Sequence, residues 1–343
     1  MAYAGGRLSS CCTPIWQTSA LIRGLRLLSS STGKAAEEAR LASTYTRQSP
    51  REHVLLRPGM YIGSTEPTVA RTFVYDDGVM LERDVEYSPA FLKIFDEILV
   101  NAADNRVRGT RRIEVSLDQV RGRVTVSNDG AGLPVVLHPS EGVYIPELVF
   151  GHLLTGSNFD DSSGRITGGR HGYGAKLTNI MSREFTVTTV DPERGLRYTQ
   201  TWRDNMGQAS SAHIEALEAG AEGRTTISFT PDLARLGVPS DRIDGGNLEV
   251  IQRRVVDMAG CAISEGQPTT VLLNGTPVPV DGFEAYTRLF VGSDCDEVAF
   301  VRVNDRWEVG VRLSPTREFT HTSFVNCMAT PRGGTHGAWL TFC

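Results

Sequence analysis

The run from Ser88 to Asn105 limits the possible folds more than any other part of the chain, because it predicts an amphipathic helix. Ser88 can accept hydrogen bonds from free N–H groups of the first turn, and Pro89 has the fixed φ that suits this position. The apolar residues that follow have helical spacing and predict one buried face. They are Phe91, Leu92, Ile94, Phe95, Ile98, Leu99 and Ala102.

The same helix carries a line of polar side chains. Glu97 and Asn101 are one turn apart, and either Asp104 or Asn105 continues the line. A glutamate can orient or deprotonate a water molecule, and an asparagine oxygen can bind Mg²⁺. Taken alone, however, the segment favours a polar face that only meets water, since this is the ordinary property of surface helices.

Residues 121–128 alternate as a β-strand does, and they end at Asp129-Gly130-Ala131-Gly132. A strand that ends in Asp-Gly is usually followed by a simple turn. Alternatively, the Asp129 carboxylate could accept a hydrogen bond from an adenine amino group, with the glycines allowing the base to approach the backbone. Both interpretations stay open at this point.

The glycine-rich run Gly168-Gly-Arg-His-Gly-Tyr-Gly-Ala-Lys176 contains the spacing Gly169-x-x-Gly172-x-Gly174. From Ala175 it continues into a helical pattern that extends to residue 180. Free N–H groups at such a helix start suit an anionic phosphate. The spacing differs from the dinucleotide fingerprint and from a Walker A loop. A flexible loop without a ligand is the alternative, but Arg170 and Lys176 add two cations and favour dispersed negative charge.

Together these segments resemble the N-terminal ATPase region of eukaryotic-type DNA topoisomerase II, in the superfamily shared with gyrase, Hsp90, MutL and histidine kinases. The resemblance runs from about Tyr45 to His336. The supporting segments are 52–64, 93–105, 149–158, 201–206 and 324–336. The resemblance and the order of predicted elements imply an α/β sandwich, with a mixed, mostly antiparallel sheet covered by helices on one face (the GHKL ATPase fold).

The resemblance also implies the cofactors ATP and Mg²⁺ and a role for each matching residue. Glu97 would be the general base, Asn101 would bind Mg²⁺, and Asp129 would face the adenine. Tyr45 matches a tyrosine that reaches the nucleotide of the partner subunit. Further nucleotide contacts are expected at Asn105, Gly156, Ser157, Asn158, Gly169, Arg170, His171, Gly172, Tyr173, Gly174, Ala175 and Lys176.

Three of these positions depart from the family pattern. His171 stands where the family often has Asn, and Gly156 stands where Ser is common. Asp129 is the residue of the wider superfamily, whereas the eukaryotic-type enzymes usually have Asn. The side-chain contacts to the nucleotide at positions 171 and 156 are therefore expected to differ from those of the family.

Residues 1–44 are predicted to be a leader. The first 36 residues contain no Asp or Glu but include Arg7, Arg23, Arg26 and Lys34, and residues 15–28 could form an amphipathic helix. This composition is typical of a mitochondrial transit peptide and suggests a mitochondrial enzyme, of the kinetoplast or nucleoid. A disordered basic tail on a nuclear enzyme is the alternative.

Residues 45–280 are predicted to form the GHKL-type ATPase domain, and residues 281–343 an incomplete transducer domain whose end after His336 no longer resembles the family. The family's DNA-cleavage domain and its transducer lysine find no match. We therefore expect an ATP-dependent homodimeric gate that acts on double-stranded DNA in the full-length enzyme, with weak hydrolysis by this chain alone. The alternatives are a catalytically impaired nucleotide-binding or dimerisation fragment and a MutL-type or Hsp90-type ATPase.

Composition agrees with these expectations. A chain of 343 residues with 40% hydrophobic content can bury one core and part of a second. The net charge of −5 indicates no general basic surface for DNA. The six cysteines lack metal-site spacing and are expected to be reduced thiols, and no apolar stretch approaches the length of a membrane span.

Overall fold

The computed structural model describes residues 34, 37–155, 167–169, 172–264, 267–291, 298–314 and 319–336. The chain divides into two compact units, Met1–Ser49 and Pro50–Cys343. In the first unit, residues 37–44 form helix α1, and the side chain of Tyr45 follows in an exposed position. The import helix predicted over residues 15–28 lies outside the described residues. The same is true of Asp160-Asp-Ser-Ser-Gly164, whose composition predicts a polar loop.

The second unit contains the remaining helices and strands. In chain order they are α2 (Pro50–Leu56), α3 (Gly59–Ile62), β1 (Thr68–Asp76), β2 (Val79–Tyr87), α4 (Pro89–Asp104), a 3₁₀ helix (Asn105–Arg108), β3 (Arg112–Asp118), β4 (Arg123–Asp129), α5 (Ile145–Gly151), α6 (Gly174–Ile180), β5 (Ser182–Asp191), β6 (Leu196–Arg203), β7 (Gln208–Ala209), β8 (His213–Ala216), β9 (Arg224–Pro231), α7 (Gly245–Cys261), β10 (Ile263–Ser264), β11 (Gln267–Pro268), β12 (Thr270–Leu273), β13 (Thr276–Pro277), α8 (Phe283–Arg288), β14 (Ala299–Asn304), β15 (Trp307–Val311), β16 (Phe324–Val325) and β17 (Met328–Ala329).

The largest sheet of the described residues has nine strands in the order β13-β12-β3-β4-β9-β5-β6-β7, and β8 also pairs with β6. Strands β12 and β3 are parallel, whereas the other neighbours are antiparallel. The sequence predicts paired strands over residues 111–117 and 123–127, and these strands are β3 and β4. The prediction of a mixed, mostly antiparallel sheet is confirmed.

The two faces of this sheet differ in chemistry. On the face beneath α4 and α6, Val124 and Phe229 are register neighbours and are fully buried. On the opposite face, Thr125 and Ser228 are joined by a hydrogen bond of 3.0 Å. Because successive side chains of a strand point to opposite faces, this alternation decides which polar residues of β4 can reach α4.

Helix α4 forms as its sequence predicts. The Ser88 hydroxyl accepts a hydrogen bond of 3.1 Å from the N–H of Phe91, and Pro89 is the first helical residue. Most of the predicted apolar stripe is buried, including Ile94 and Ile98, and Leu92 is partly buried. This stripe holds α4 against the sheet. The polar line of Glu97, Asn101 and Asp104 therefore lies on a separate face of the helix, which is narrower than the apolar face.

Apolar residues recur with helical spacing at Leu248, Ile251, Val255 and Met258 and predict a helix over residues 248–261. This helix is α7, which begins three residues earlier, at Gly245. Helix α8 and the β16–β17 hairpin both contact α7. They also contact each other, because Tyr286 of α8 lies edge-on to Phe324 of the hairpin with ring centroids 5.7 Å apart. A Cβ atom at Gly260 would lie 2.5 Å from Cγ of Tyr286, so this close approach requires glycine.

Among the described residues, no helix is both long enough and apolar enough to cross a bilayer.

Candidate nucleotide-binding site

The polar line of α4 faces the glycine-rich run, and Glu97 lies at its centre. A Cβ atom at Gly174, the first residue of α6, would lie 1.8 Å from Oε2 of Glu97. With the Glu97 side chain in this position, the start of α6 has room only for glycine. Glu97 also forms an ion pair with Lys93, one turn earlier on α4. The predicted general base and the predicted phosphate-binding run are thus in contact.

One and two turns farther along α4, Asn101 and Asp104 lie beside Gly169. A Cβ atom at Gly169 would lie 3.3 Å from Oδ2 of Asp104 and 3.7 Å from Oδ1 of Asn101. The Asp104 carboxylate accepts hydrogen bonds from the N–H groups of Gly168, at 2.7 Å, and Gly169, at 2.8 Å. Of the two residues that could continue the polar line, Asp104 is therefore the one that holds the backbone of this run.

Asn105 turns away from the glycine-rich run. Its Nδ2 donates to the Thr110 hydroxyl at 3.0 Å and to the carbonyl oxygens of Asp129, at 3.3 Å, and Ala131, at 3.2 Å. The side chain thereby holds the turn after β4 next to the end of α4. A contact between Asn105 and the nucleotide stays a prediction.

The structure does not bring the Asp129 carboxylate to the side of the sheet where α4 lies. Its Oδ1 accepts hydrogen bonds from the backbone N–H groups of Arg111 and Arg112, both at 2.8 Å. The reason is the strand alternation, which places Asp129 on the same face as Thr125 and Ser127. The sequence-based expectation that Asp129 faces an adenine therefore lacks support in the geometry.

The preceding residue, Asn128, lies on the face beneath the helices, and sequence reasoning missed it. It is 6% exposed and is paired in register with Thr225 of β9, which is paired with Thr189 of β5. The hydroxyls of Thr225 and Thr189 lie 3.1 Å apart. Three polar side chains thus form a row next to apolar residues of the same face. The alternation Val124, Val126, Asn128 was the signal that could have identified it.

Lys176 of α6 contributes a buried ammonium group. Its Nζ donates to the carbonyl oxygens of Thr155, at 2.5 Å, and Gly172, at 2.6 Å. Burial lowers the pKa of Lys176 to about 8. Lys176 therefore links the backbone at Thr155 to the backbone of the glycine-rich run at Gly172.

The other predicted contacts are unequally placed. Gly172 has a φ of 64°, which favours glycine, and Tyr173 and Ala175 lie at the start of α6. Tyr45 belongs to the first unit and is 86% exposed. The remaining predicted contacts lie outside the described residues; they are Gly156, Ser157, Asn158, Arg170 and His171.

The donor set fits a metal that is shared with phosphate. Within the described residues, no group of three or more His, Cys, Asp or Glu side chains could hold a metal ion. Asn101 offers a neutral oxygen beside Gly169. Mg²⁺ prefers six oxygen ligands and commonly takes most of them from water and from substrate phosphates. Asn101 could therefore hold Mg²⁺ only together with such groups.

Comparisons with known proteins agree with this arrangement. The model of the histidine kinase-, DNA gyrase B- and HSP90-like ATPase family matches residues 87–235, which contain α4, β4 and the glycine-rich run. DNA topoisomerase 2 of Arabidopsis thaliana is 42% identical over 318 residues, which are 90% of this chain and 21% of the relative. A Caenorhabditis elegans relative, whose name includes DNA topoisomerase 2, mitochondrial, is 39% identical over 344 residues, 96% of this chain and 29% of the relative.

Among solved structures, the ATPase and transducer domains of DNA topoisomerase II from Balamuthia mandrillaris superpose with a TM-score of 0.82 and 48% sequence identity. The match covers 87% of this chain and 75% of that chain. The chain spans less than a third of the length of the curated relatives named above. It belongs to the DNA topoisomerase II family, within which it is homologous to the N-terminal ATPase region.

Proposed function

We propose that this chain binds ATP with Mg²⁺ between α4 and the glycine-rich run and hydrolyses it there. In the full-length enzyme it would serve as the N-terminal gate of a type II topoisomerase, which passes one DNA duplex through a transient double-strand break in another. The observation that carries the proposal is the contact between Glu97 and the start of α6, where a Cβ atom at Gly174 would overlap the carboxylate. This contact places an acidic side chain beside the first turn of α6, where the main-chain N–H groups have no partner within the helix.

Glu97 is the residue that activates water. Its carboxylate is partly exposed and lies on the same helical line as Asn101. A water molecule held by Glu97 would approach a terminal phosphate lying along the N–H groups of the glycine-rich run. Asn101 would hold the Mg²⁺, which neutralises phosphate charge when it is bound. Lys176 in its protonated form would add a positive charge close to the same phosphates.

Asn128 replaces Asp129 as our candidate for the adenine contact. Its Nδ2 donates to the Thr110 hydroxyl at 3.2 Å and to the Asp129 carbonyl at 2.8 Å. With the amide N–H groups used in this way, Oδ1 is the atom that can accept a hydrogen bond from the adenine amino group. Thr225, its register neighbour on β9, supplies a hydroxyl on the same face.

The contacts predicted at Gly156, Ser157, Asn158, Arg170 and His171 are proposed from the family resemblance alone. The same holds for Tyr45, which would reach the nucleotide of a partner subunit in a homodimer. ATP can close such a gate only if it binds the dimer more tightly than the separate subunits. Because the net charge is −5, the DNA contacts are assigned to the full-length enzyme.

We also propose a mitochondrial location. The leader-like composition of residues 1–44 supports it, and so does the match of 96% of this chain to a relative that is named as mitochondrial. The nucleus is the alternative location.

Glu97→Gln tests the proposed reaction. The substitution preserves size and hydrogen bonding but removes the base, so we expect ATP turnover to fall at least about 100-fold. ATP affinity, measured by calorimetry with Mg²⁺, should stay within about threefold, because the side chain keeps its size and its hydrogen bonding. A threefold change in affinity corresponds to less than about 1 kcal/mol. Phosphate release measures turnover.

Glu249→Gln is the matched control, since Glu249 is on α7 and pairs with Arg83 at the surface. It should leave both quantities unchanged. Unchanged turnover in Glu97→Gln would reject Glu97 as the base. ATP binding by the natural chain without any turnover would instead favour the nucleotide-binding or dimerisation fragment, and an absence of binding would reject the site.

A further inference from the structure

The turn of the β16–β17 hairpin has an unusual backbone. Asn326 and Cys327 connect the two strands, and their φ angles are 49° and 64°. Positive φ at both central residues is the pattern of a type I′ turn. Asparagine accepts this conformation readily, whereas a cysteine seldom does. The turn therefore depends on its surroundings to stay in this conformation.

Those surroundings fix the turn to the core. Cys327 is buried, and its carbonyl oxygen accepts a hydrogen bond from Nη2 of Arg254. Its Sγ lies 3.3 Å from the carbonyl oxygen of Cys261, at the end of α7, and 3.2 Å from Nη1 of Arg106. The turn is thus held by α7 on one side and by the 3₁₀ helix after α4 on the other.

The same turn contacts the start of the glycine-rich run. Nδ2 of Asn326 donates to the Thr167 carbonyl oxygen at 3.2 Å. A Cβ atom at Gly168 would lie 3.1 Å from the Asn326 carbonyl oxygen, 3.2 Å from Cγ of Met328 and 2.6 Å from Cγ1 of Val100. Gly168 is therefore enclosed between the hairpin and α4, and a side chain would not fit there.

Two sets of hydrogen bonds consequently hold this backbone. The Asp104 carboxylate accepts from the N–H groups of Gly168 and Gly169, and Asn326 donates to the carbonyl oxygen just before them. We propose that Asn326 is a positioning residue for ATP turnover, which acts with Asp104 by fixing the backbone beside Asn101. The inference rests on the proposed function, because it assigns that backbone to the nucleotide site.

Groups that stabilise charge on a reacting phosphate must be held to within about 0.5 Å, and a residue remote from the chemistry can control the rate in this way. Asn326 lies more than 220 residues from Glu97 in the chain, within the segment 281–343 that we assign to the transducer domain. Through this contact, a change in the backbone of the hairpin would also shift the start of the glycine-rich run.

Amide hydrogen exchange at Gly168 and Gly169 in the nucleotide-free chain tests the positioning. Asn326→Gly keeps a residue that tolerates positive φ but removes the side chain. We expect exchange at both glycines to accelerate about fivefold, the effect of losing one hydrogen bond. Asn326→Asp, which keeps the size but removes the donor, should accelerate it similarly and serves if the glycine variant fails to fold.

Asp77→Gly is the matched control, because Asp77 and Gly78 form the two-residue turn of the β1–β2 hairpin with φ angles of 43° and 87°. It should leave exchange at Gly168 and Gly169 unchanged. Unchanged exchange in a folded Asn326 variant would overturn the positioning role whether or not the chain binds ATP.

Turnover supplies the second measurement. We expect Asn326→Gly to lower kcat about fivefold while ATP affinity stays within about twofold, in line with one lost hydrogen bond. Faster exchange with unchanged kcat would overturn the catalytic part of the inference and leave the proposed function intact. Failure of the Glu97→Gln test with accelerated exchange at the glycines would overturn the proposed function but keep the structural clamp.

Discussion

Asp96 and Glu97 are neighbours on α4, yet they belong to two different polar regions of the molecule. Asp96 points towards α7, where it pairs with Arg254 at an Oδ1–Nε distance of 2.6 Å. Glu97 points towards α6 and the glycine-rich run. We call the first region the α7 cluster, which contains Asp96, Arg254, Asp257 and Tyr286. The second is the α4 cluster, which contains Glu97, Asn101, Asp104, Asn128 and Lys176.

The difference lies in the partners of each region. In the α7 cluster, side chains pair mainly with one another: Tyr286 donates to Asp257 at 2.7 Å, and Asp96 pairs with Arg254, whose Nη2 also donates to the Cys327 carbonyl oxygen. Burial disfavours the charge of Arg254, but the Asp96 carboxylate raises the pKa of the guanidinium above its ordinary value. In the α4 cluster, Asp104 and Lys176 bind backbone N–H and C=O groups of the glycine-rich run. Polar side chains that pair with one another indicate a structural role. Polar side chains that hold a glycine-rich backbone segment in place indicate a ligand site.

The largest expected effect is on stability and comes from the α7 cluster. Arg254→Ala would leave Asp96 without its buried partner, so the free energy of unfolding should fall by about 3–5 kcal/mol in urea denaturation. Arg83→Ala is the control, because the Arg83–Glu249 pair is at the surface and should contribute less than about 1 kcal/mol. A loss of less than 1 kcal/mol in Arg254→Ala would remove the distinction between the two clusters.

The next prediction separates the two faces of β4. Asn128→Ala removes a side chain on the α4 face, and ATP affinity should fall about tenfold for the loss of one buried hydrogen bond. Asp129→Ala removes an acceptor on the other face, so it should cost about 2 kcal/mol of stability and leave ATP affinity unchanged. Calorimetric titration with ATP and thermal melting measure the two quantities. The reverse pattern would restore Asp129 as the adenine contact.

The smallest expected effect concerns protons in the α4 cluster. The pKa of Lys176 is lowered by burial to about 8 from 10.5. A nearby triphosphate favours the charged form, so ATP binding should take up part of a proton above pH 8, and affinity should fall as the pH rises through 8. Calorimetry at pH 8.5 in two buffers of different ionisation enthalpy measures this uptake.

Lys176→Met should abolish the proton uptake, and an unchanged uptake would contradict the assignment. The pH dependence of folding stability has the opposite sign to that of ATP affinity. Because the folded pKa lies below the ordinary one, Lys176 disfavours folding below pH 8, and this cost disappears as the pH rises towards 10.5. In the absence of ATP, stability relative to Lys176→Met should therefore increase over this range.

Local pattern alone predicted much of the fold. The cap at Ser88, the apolar stripe of α4, the pairing of β3 with β4 and the glycine start of α6 all appear in the structure. Each depends on residues within about a turn or a hairpin of one another, where spacing and side-chain type suffice. The contact of Glu97 with the glycine-rich run was expected from the family resemblance, since no pattern within either segment specifies it.

The face occupied by Asp129 could also have been predicted, because strand alternation is local. The long-range partners could not. Nothing in the sequence near Asp96 points to Arg254, and nothing near Asn326 points to Thr167, because these pairs are 158 and 159 residues apart. Their contacts exist only once α4, α7 and the β16–β17 hairpin have packed together.

The amino-acid order thus determined which helix is amphipathic, which residues it offers to a ligand and where a glycine is required, since steric and periodic preferences act over a few residues. Only the tertiary structure decided that one carboxylate of α4 stabilises the core while its neighbour faces the glycine-rich run. The physical reason is that a side chain's role depends on the groups packed around it. Those groups come from segments that the chain brings together only on folding.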